Sequence, residues 1–208
     1  FLSKDMDIFV LSLNITCIGN LLLLLLFSLT KKPKSSINYY LAAIVGLPIF
    51  AMLFNLSLYY NYCINYPIFF LMSFPMSYLW GPAVYLYVLK ITNHTIHFKP
   101  ISLLHIVPSI AAIVYSIYFS SQSFEYKQAF FNQVVVSPPY MLKIMNLFLN
   151  VQVVGYFIKC LLVTNTFEQQ LQLQNPLEKQ PSVRWIKKFI YLYFILNFVA
   201  LIPELIFP

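Results

Sequence analysis

The amino-acid sequence predicts an all-α protein, a polytopic bundle of transmembrane helices. The first observation is composition, because 60% of the 208 residues are hydrophobic and only 9% are charged, against roughly 25% charged in a soluble domain. The second is a mean hydropathy of +0.75. The third is that the apolar runs lack the period-two alternation of a membrane β-barrel. Helices are then the remaining structure in which backbone N–H and C=O groups are hydrogen bonded within lipid. Together they argue against a soluble globular fold.

Six membrane spans are predicted from the lengths of the apolar runs, since about 20 apolar residues cross a bilayer core. Prolines support the boundaries, because Pro67, Pro100 and the Pro138-Pro139 pair fall where the first turn of a helix needs no amide donor. The predicted spans are residues 8–30, 38–60, 67–91, 101–120, 139–163 and 185–207. Six spans leave both termini on one side, so a cytoplasmic output domain would require a seventh helix beyond Pro208.

The distribution of basic residues predicts the orientation, because Lys and Arg are retained on the cytoplasmic side of a membrane. Ten of the thirteen fall on one predicted side: Lys31, Lys32, Lys34, Lys90, Lys99, Lys159, Lys179, Arg184, Lys187 and Lys188. The other side holds Lys4, Lys127 and Lys143. The N-terminus is therefore expected outside, and the basic loop at Lys31–Lys34 is expected to contact anionic lipid headgroups.

Two connecting segments are long enough to carry structure of their own. The external one, 121–137, contains Phe124, Tyr126, Phe130 and Phe131, which favours an aromatic segment at the headgroup level; a lid over the bundle is the alternative. The internal one is rich in Gln between Glu168 and Pro176. This sequence predicts that the fifth helix continues into the cytoplasm.

Groups that could perform chemistry inside a membrane are few. The sequence contains no Ser-His-Asp set, no His-Glu-x-x-His motif and no pair of intramembrane aspartates, so we expect no enzymatic activity. His94, His97 and His105 lack the further partners of a four-ligand metal site, and the three cysteines have unrelated spacings. We therefore expect neither a metal nor a cofactor. Glu204 is interpreted as an interfacial residue, and a proton or cation site is the alternative.

A candidate ligand-binding wall lies on the third predicted span. Tyr78, Trp80 and Tyr85 surround Gly81 and Pro82, so large aromatic rings stand beside a glycine that permits close helix approach and a proline that removes a backbone hydrogen bond. Tyr78 and Tyr85 are seven residues apart and share a helix face. The alternative is that all three aromatic residues belong to the core.

Two strings in this region resemble the membrane domain of bacterial AraC-type regulators. The first is Trp80-Gly81-Pro82-Ala83-Val84-Tyr85-Leu86-Tyr87-Val88-Leu89-Lys90. The second is Leu103-Leu104-His105-Ile106-Val107-Pro108. In that family a Gly-Pro-x-x-Tyr-x-Tyr-Val motif ends one helix, and a Leu-Leu-His motif followed by a proline opens the next. The similarity extends over most of residues 31–190. His105 is expected to form a hydrogen bond at the start of its helix.

The resemblance implies a membrane sensor of about seven helices in the bacterial inner membrane, joined to a cytoplasmic helix-turn-helix module that binds DNA. Such a module would lie beyond residue 208, so residues 1–208 are expected to form the sensory domain and to contact DNA only through it. The lipid bilayer is the expected partner, together with a second copy or another membrane protein. Two alternatives are a non-catalytic accessory subunit of a membrane complex and the sensor domain of a membrane histidine kinase.

Overall fold

The computed structural model describes residues 4–31, 36–60, 62, 66, 68–92, 105–137, 139–174, 185–192 and 195, and within them the regular structure is entirely helical. The all-α prediction is therefore confirmed for this part of the chain. Six helices have these bounds: α1 Lys4–Thr30, α2 Ser36–Tyr59, α3 Ile68–Ile91, α4 Val107–Ser120, α5 Phe124–Val136 and α6 Tyr140–Gln174. A seventh helix, α7, covers residues 185–192.

Three helices are long and apolar enough to cross a membrane, with the relevant stretches at Leu11–Thr30, Ser36–Phe54 and Tyr140–Leu173. Six spans are therefore more than the described residues show. The predicted third span corresponds to α3, which has 24 residues and contains Pro75 and Pro82.

The fourth predicted span shortens to α4, which has 14 residues. A helix of that length is about 21 Å long and falls short of a hydrocarbon core about 30 Å thick. Of the predicted sixth span, only 185–192 and 195 belong to the described residues.

α3 occupies the centre of the helical packing. It lies against α2, α4 and α6, whereas α1 packs on α2. The core cluster joins α2, α3, α6 and α7 through Ile44, Val84, Val88, Val153, Phe157, Cys160, Ile186 and Ile190. On the other side, α4 places the small residues Ser109 and Ala112 in buried positions, and the Ser109 hydroxyl donates to the Pro75 carbonyl of α3 at 3.0 Å. Small side chains let two helix backbones approach closely.

The segment 121–137, which the sequence predicts to be external, contains the helix α5. Ser123 caps its start, with the side-chain oxygen accepting from the Tyr126 amide at 3.3 Å. Phe130 and Phe131 then pack on Phe119 at the end of α4. The centroids of Phe119 and Phe130 are 4.7 Å apart. These phenylalanines are thus buried against α4, while Phe124 and Tyr126 remain half exposed.

α6 is a continuous helix of 35 residues, and such a helix is about 52 Å long. The prediction that the Gln-rich segment prolongs this helix is confirmed, since α6 ends at Gln174. Glu168, near its end, forms an ion pair with Lys187 of α7. α6 therefore connects the apolar bundle with a polar segment that extends beyond the thickness of a bilayer core.

Candidate functional site

Tyr78 and Trp80, two of the three predicted wall residues, use their polar atoms inside the bundle. The Tyr78 side chain is 3% exposed, and its hydroxyl donates to the Met145 carbonyl of α6 at 2.7 Å. The Trp80 indole N–H donates to the Ile44 carbonyl of α2 at 3.0 Å. Both aromatic residues therefore link α3 to a neighbouring helix by a hydrogen bond to a backbone carbonyl of that helix.

The carbonyl that accepts from Trp80 has lost its own helical partner. In an α-helix the carbonyl of residue i accepts from the amide of residue i+4, and the residue four after Ile44 is Pro48, which lies inside α2 and has no amide hydrogen. The Trp80 indole supplies the missing donor from α3. The contact thus repairs the hydrogen-bond gap that proline creates in α2.

A second proline gap is repaired in the same way. Pro82 lies inside α3 and leaves the carbonyl of Tyr78 without its helical donor. The Gln152 side-chain amide of α6 donates to that carbonyl at 3.1 Å. Two proline-containing helices therefore each depend on a side-chain donor from a neighbour, an arrangement that lets proline be tolerated in apolar surroundings.

Gly81 is a point of close approach between α3 and α6. A Cβ atom built on Gly81 would lie 2.8 Å from Cδ2 of Tyr156, which is closer than two carbon atoms can pack without displacement. The sequence-based expectation that Gly81 permits close helix approach agrees with this geometry. The partner ring, Tyr156 of α6, was not singled out from the sequence.

His105 and Tyr85 complete an aromatic group around Tyr156. The Tyr156 hydroxyl is hydrogen bonded to Nδ1 of His105, and the His105 ring centroid lies 5.4 Å from that of Tyr156. The Tyr85 centroid lies 6.0 Å from Tyr156 and 6.3 Å from His105. The expected hydrogen bond of His105 at the helix start is replaced by this bond to α6, and no side chain caps the start of α4 at Ile106. Pro108, predicted to lie inside the span 101–120, lies in the first turn of α4.

Polar contacts extend along α6 on either side of Tyr156. Lys159 Nζ lies 6.0 Å from the centroid of the Tyr156 ring. Four residues before Tyr156, the Gln152 amide oxygen is buried and has no hydrogen-bond partner within the described residues. We call Tyr85, His105, Gln152, Tyr156 and Lys159 the α6 polar cluster. It can form and exchange hydrogen bonds, but it lacks an activated nucleophile.

No group of three His, Cys, Asp or Glu side chains that could hold a metal occurs in the ranges the structure describes. Cys160 is fully buried in the core, and neither it nor Cys17 forms a disulfide. His94, His97, Cys63 and Glu204 lie outside the described residues.

Sequence reasoning identified the α3 side of this site and missed the α6 side. Gln152 and Tyr156 are four residues apart and therefore share a helix face, but nothing local indicates that this face meets α3. One signal was available. Each intrahelical proline frees the carbonyl four residues earlier, which marks Ile44 and Tyr78 as backbone acceptors that require a donor.

No family model, no curated protein and no solved structure matches the chain. The site described above therefore rests on the geometry of this chain alone.

Proposed function

We propose that the chain is the membrane-embedded sensor domain of a bacterial transcriptional regulator of AraC type, which passes a signal to a cytoplasmic DNA-binding module. One observation supports the proposal. Gly81 and Tyr85 belong to the first motif string and His105 to the second, and all three lie against the same side chain, Tyr156. Residues that the resemblance singles out in separate strings thus form one packing unit.

A signal that moved α6 relative to α3 would displace contacts in the middle and at the end of α6. In the middle, Gln152 is hydrogen bonded to α3 and Tyr156 to His105. Near the end, Glu168 is paired with Lys187. Because a continuous helix moves largely as one body, displacement at Tyr156 would reach the polar segment near Gln174. Ligand binding by Tyr78, Trp80 and Tyr85 stays a prediction within this scheme.

Sequencing the gene on both sides of the coding region for residues 1–208 tests the proposed output. We expect a further membrane span followed by a helix-turn-helix module of AraC type. A stop codon directly after Pro208 would contradict the regulator, and a kinase module there would favour the histidine kinase alternative. Stoichiometric co-purification of another membrane protein in mild detergent would favour the accessory subunit.

The coupling role of the α6 polar cluster can be tested in the full-length protein with a reporter gene under its target promoter. Tyr156→Phe removes the hydroxyl that binds His105 and keeps the ring beside Gly81, so we expect an altered reporter response at near wild-type protein abundance. Tyr140→Phe is the matched control, because Tyr140 is 78% exposed. Equal responses from Tyr156→Phe and the wild type would contradict the coupling role.

The proposed location is the bacterial inner membrane, with the N-terminus outside. Support comes from the three apolar helices and from the ten-to-three division of basic residues in the sequence. Single cysteines at Ser36 and Gln172 should react with an impermeant thiol reagent only after permeabilisation, whereas a cysteine at Ser123 should react in intact cells. Reaction of Ser123→Cys only after permeabilisation would reverse the orientation.

A further inference from the structure

α1 is the most peripheral of the long helices and carries a polar side chain in an unexpected place. In its apolar stretch Leu11–Thr30, 6% of the residues are buried, and its partner among the described helices is α2. Asn20 nevertheless lies close to residue 19, the midpoint of the uncharged run 8–30. If α1 crosses a membrane, this amide is placed near the bilayer midplane.

The Asn20 side chain points away from the rest of the chain. It is exposed, and it forms no hydrogen bond with any other described residue. A hydrocarbon solvent offers no hydrogen-bond partner, so polar residues inside membranes usually face another protein group. The position therefore calls for a polar partner that these parts of the chain do not provide.

The surface around Asn20 is shaped for close approach of another helix. Thr16, Asn20, Leu23 and Phe27 are spaced by four, three and four residues, and Gly19 lies three residues after Thr16 and four before Leu23, which places all five on one helix face. We call these five residues the α1 polar face. A Cβ atom on Gly19 would meet nothing within 4 Å, so the glycine serves no packing need inside the described chain. Small residues at such positions are typical of helix interfaces in membranes.

We propose that the α1 polar face binds the same face of a second copy of this chain. The chemistry favours an identical partner, because a residue near a two-fold axis faces itself and the side-chain amide carries both donor and acceptor groups. Two Asn20 side chains can therefore pair with each other. The five residues of the face are uncharged, Lys31 Nζ lies 6.0 Å from the centroid of the Phe27 ring at the end of the face, and Gly19 lets the backbones approach.

Disulfide cross-linking of the full-length protein in native membranes tests the face. In a background with Cys17, Cys63 and Cys160 replaced by Ala, Leu23→Cys should give a covalent dimer on oxidation. Leu22→Cys is the matched control, since Leu22 is also exposed, at 44% against 67% for Leu23, but lies about 100° further around the helix. Preferential cross-linking at Leu22, or none at either position, would overturn the proposal.

The role of the amide is tested separately by the mass of the purified protein in mild detergent. Asn20→Leu should lower the dimer association constant about tenfold, the size expected for hydrogen bonds between membrane helices, while the melting temperature of the monomer is retained. Asn20→Gln keeps the amide and should retain the dimer. A monomeric wild type, or a dimer equally stable in Asn20→Leu, would contradict the pairing, and a complex with a different protein through Leu23 would replace the second copy as partner. None of these outcomes depends on the proposed sensor function.

Discussion

The helices α3 and α1 differ in whether their polar groups find hydrogen-bond partners within the described chain. α3 carries Pro75 and Pro82 inside its length, yet the carbonyl freed by Pro82 is met by Gln152 from another helix. α1 has an unbroken backbone, but its mid-helix Asn20 is exposed and forms no hydrogen bond with a described residue. The contrast indicates that the polar groups of α3 are satisfied within one chain, whereas Asn20 of α1 requires the proposed second copy. Substitutions in α3 should therefore change the stability of the monomer, and substitutions on the α1 polar face should change association.

Trp80→Ala is expected to have the largest effect on monomer stability. It removes a ring that packs on Phe157, with centroids 5.9 Å apart, and deletes the donor to the Ile44 carbonyl. On the soluble-core scale, losing such a side chain costs about 3–5 kcal/mol. Unfolding in mixed detergent micelles, followed by circular dichroism, measures this loss.

Trp80→Phe serves as the control, because it keeps a smaller aromatic ring and removes the N–H. It should lose less than Trp80→Ala, with about 1–3 kcal/mol of its loss coming from the buried acceptor left unpaired. If Trp80→Ala instead kept its stability and abundance and changed only the response to a signal, the residue would line a ligand site, as the sequence alone also allowed.

Gln152→Leu tests whether the proline gap in α3 is held by α6. The substitution removes the donor to the Tyr78 carbonyl at similar side-chain size, and we expect a loss of about 1–3 kcal/mol. Its matched control is Gln172→Leu, on an exposed turn of the same helix, which should stay within about 0.5 kcal/mol of the wild type. Equal effects of the two variants would show that the gap in α3 does not need this donor.

Replacement of Gly81 and of Gly155 by Ala should change the free energy of unfolding in opposite directions. Gly81→Ala places a methyl group against Tyr156, and overpacking of this kind costs about 1–3 kcal/mol. Gly155 has nothing within 4 Å of a built Cβ, so Gly155→Ala should stabilise its helix by about 0.5–1 kcal/mol. Thermal melting compares the stability of each variant with that of the wild type. Destabilisation by Gly155→Ala would reveal a partner at that surface.

The sequence predicted the local features of this fold well and the long-range ones poorly. Hydropathy and prolines placed α3 within one residue of its observed bounds, Ile68–Ile91, because both signals are read from neighbouring residues. The six predicted spans exceed the three candidate membrane helices of the described residues, since apolar composition alone does not distinguish a membrane-crossing helix from a shorter one such as α4. The α6 side of the site was missed because the meeting of Gln152 and Tyr156 with α3 is decided by tertiary packing.

The smallest expected effect concerns α5, which lies outside the long apolar helices and whose first turn is exposed. Glu125 is exposed, and hydrogen bonds from its own backbone amide and from Ser123 hold its pKa below the ordinary value of 4.5. Because the folded-state pKa is the lower one, this contribution to stability is complete above about pH 4.5. It is lost as the pH falls through the folded-state pKa.

Wild type and Glu125→Gln should therefore differ in melting temperature at pH 7 and converge at pH 3, since the amide cannot ionise. Ser123→Ala removes the helix cap and should lower stability by about 1 kcal/mol. It should also reduce the difference between pH 7 and pH 3, because Ser123 provides one of the two hydrogen bonds to the carboxylate. A pH dependence that is unchanged in Glu125→Gln would show that another carboxylate titrates in this range. In that case the start of α5 would contribute no acid sensitivity, and the polar contacts that decide stability would be those inside the bundle around α3.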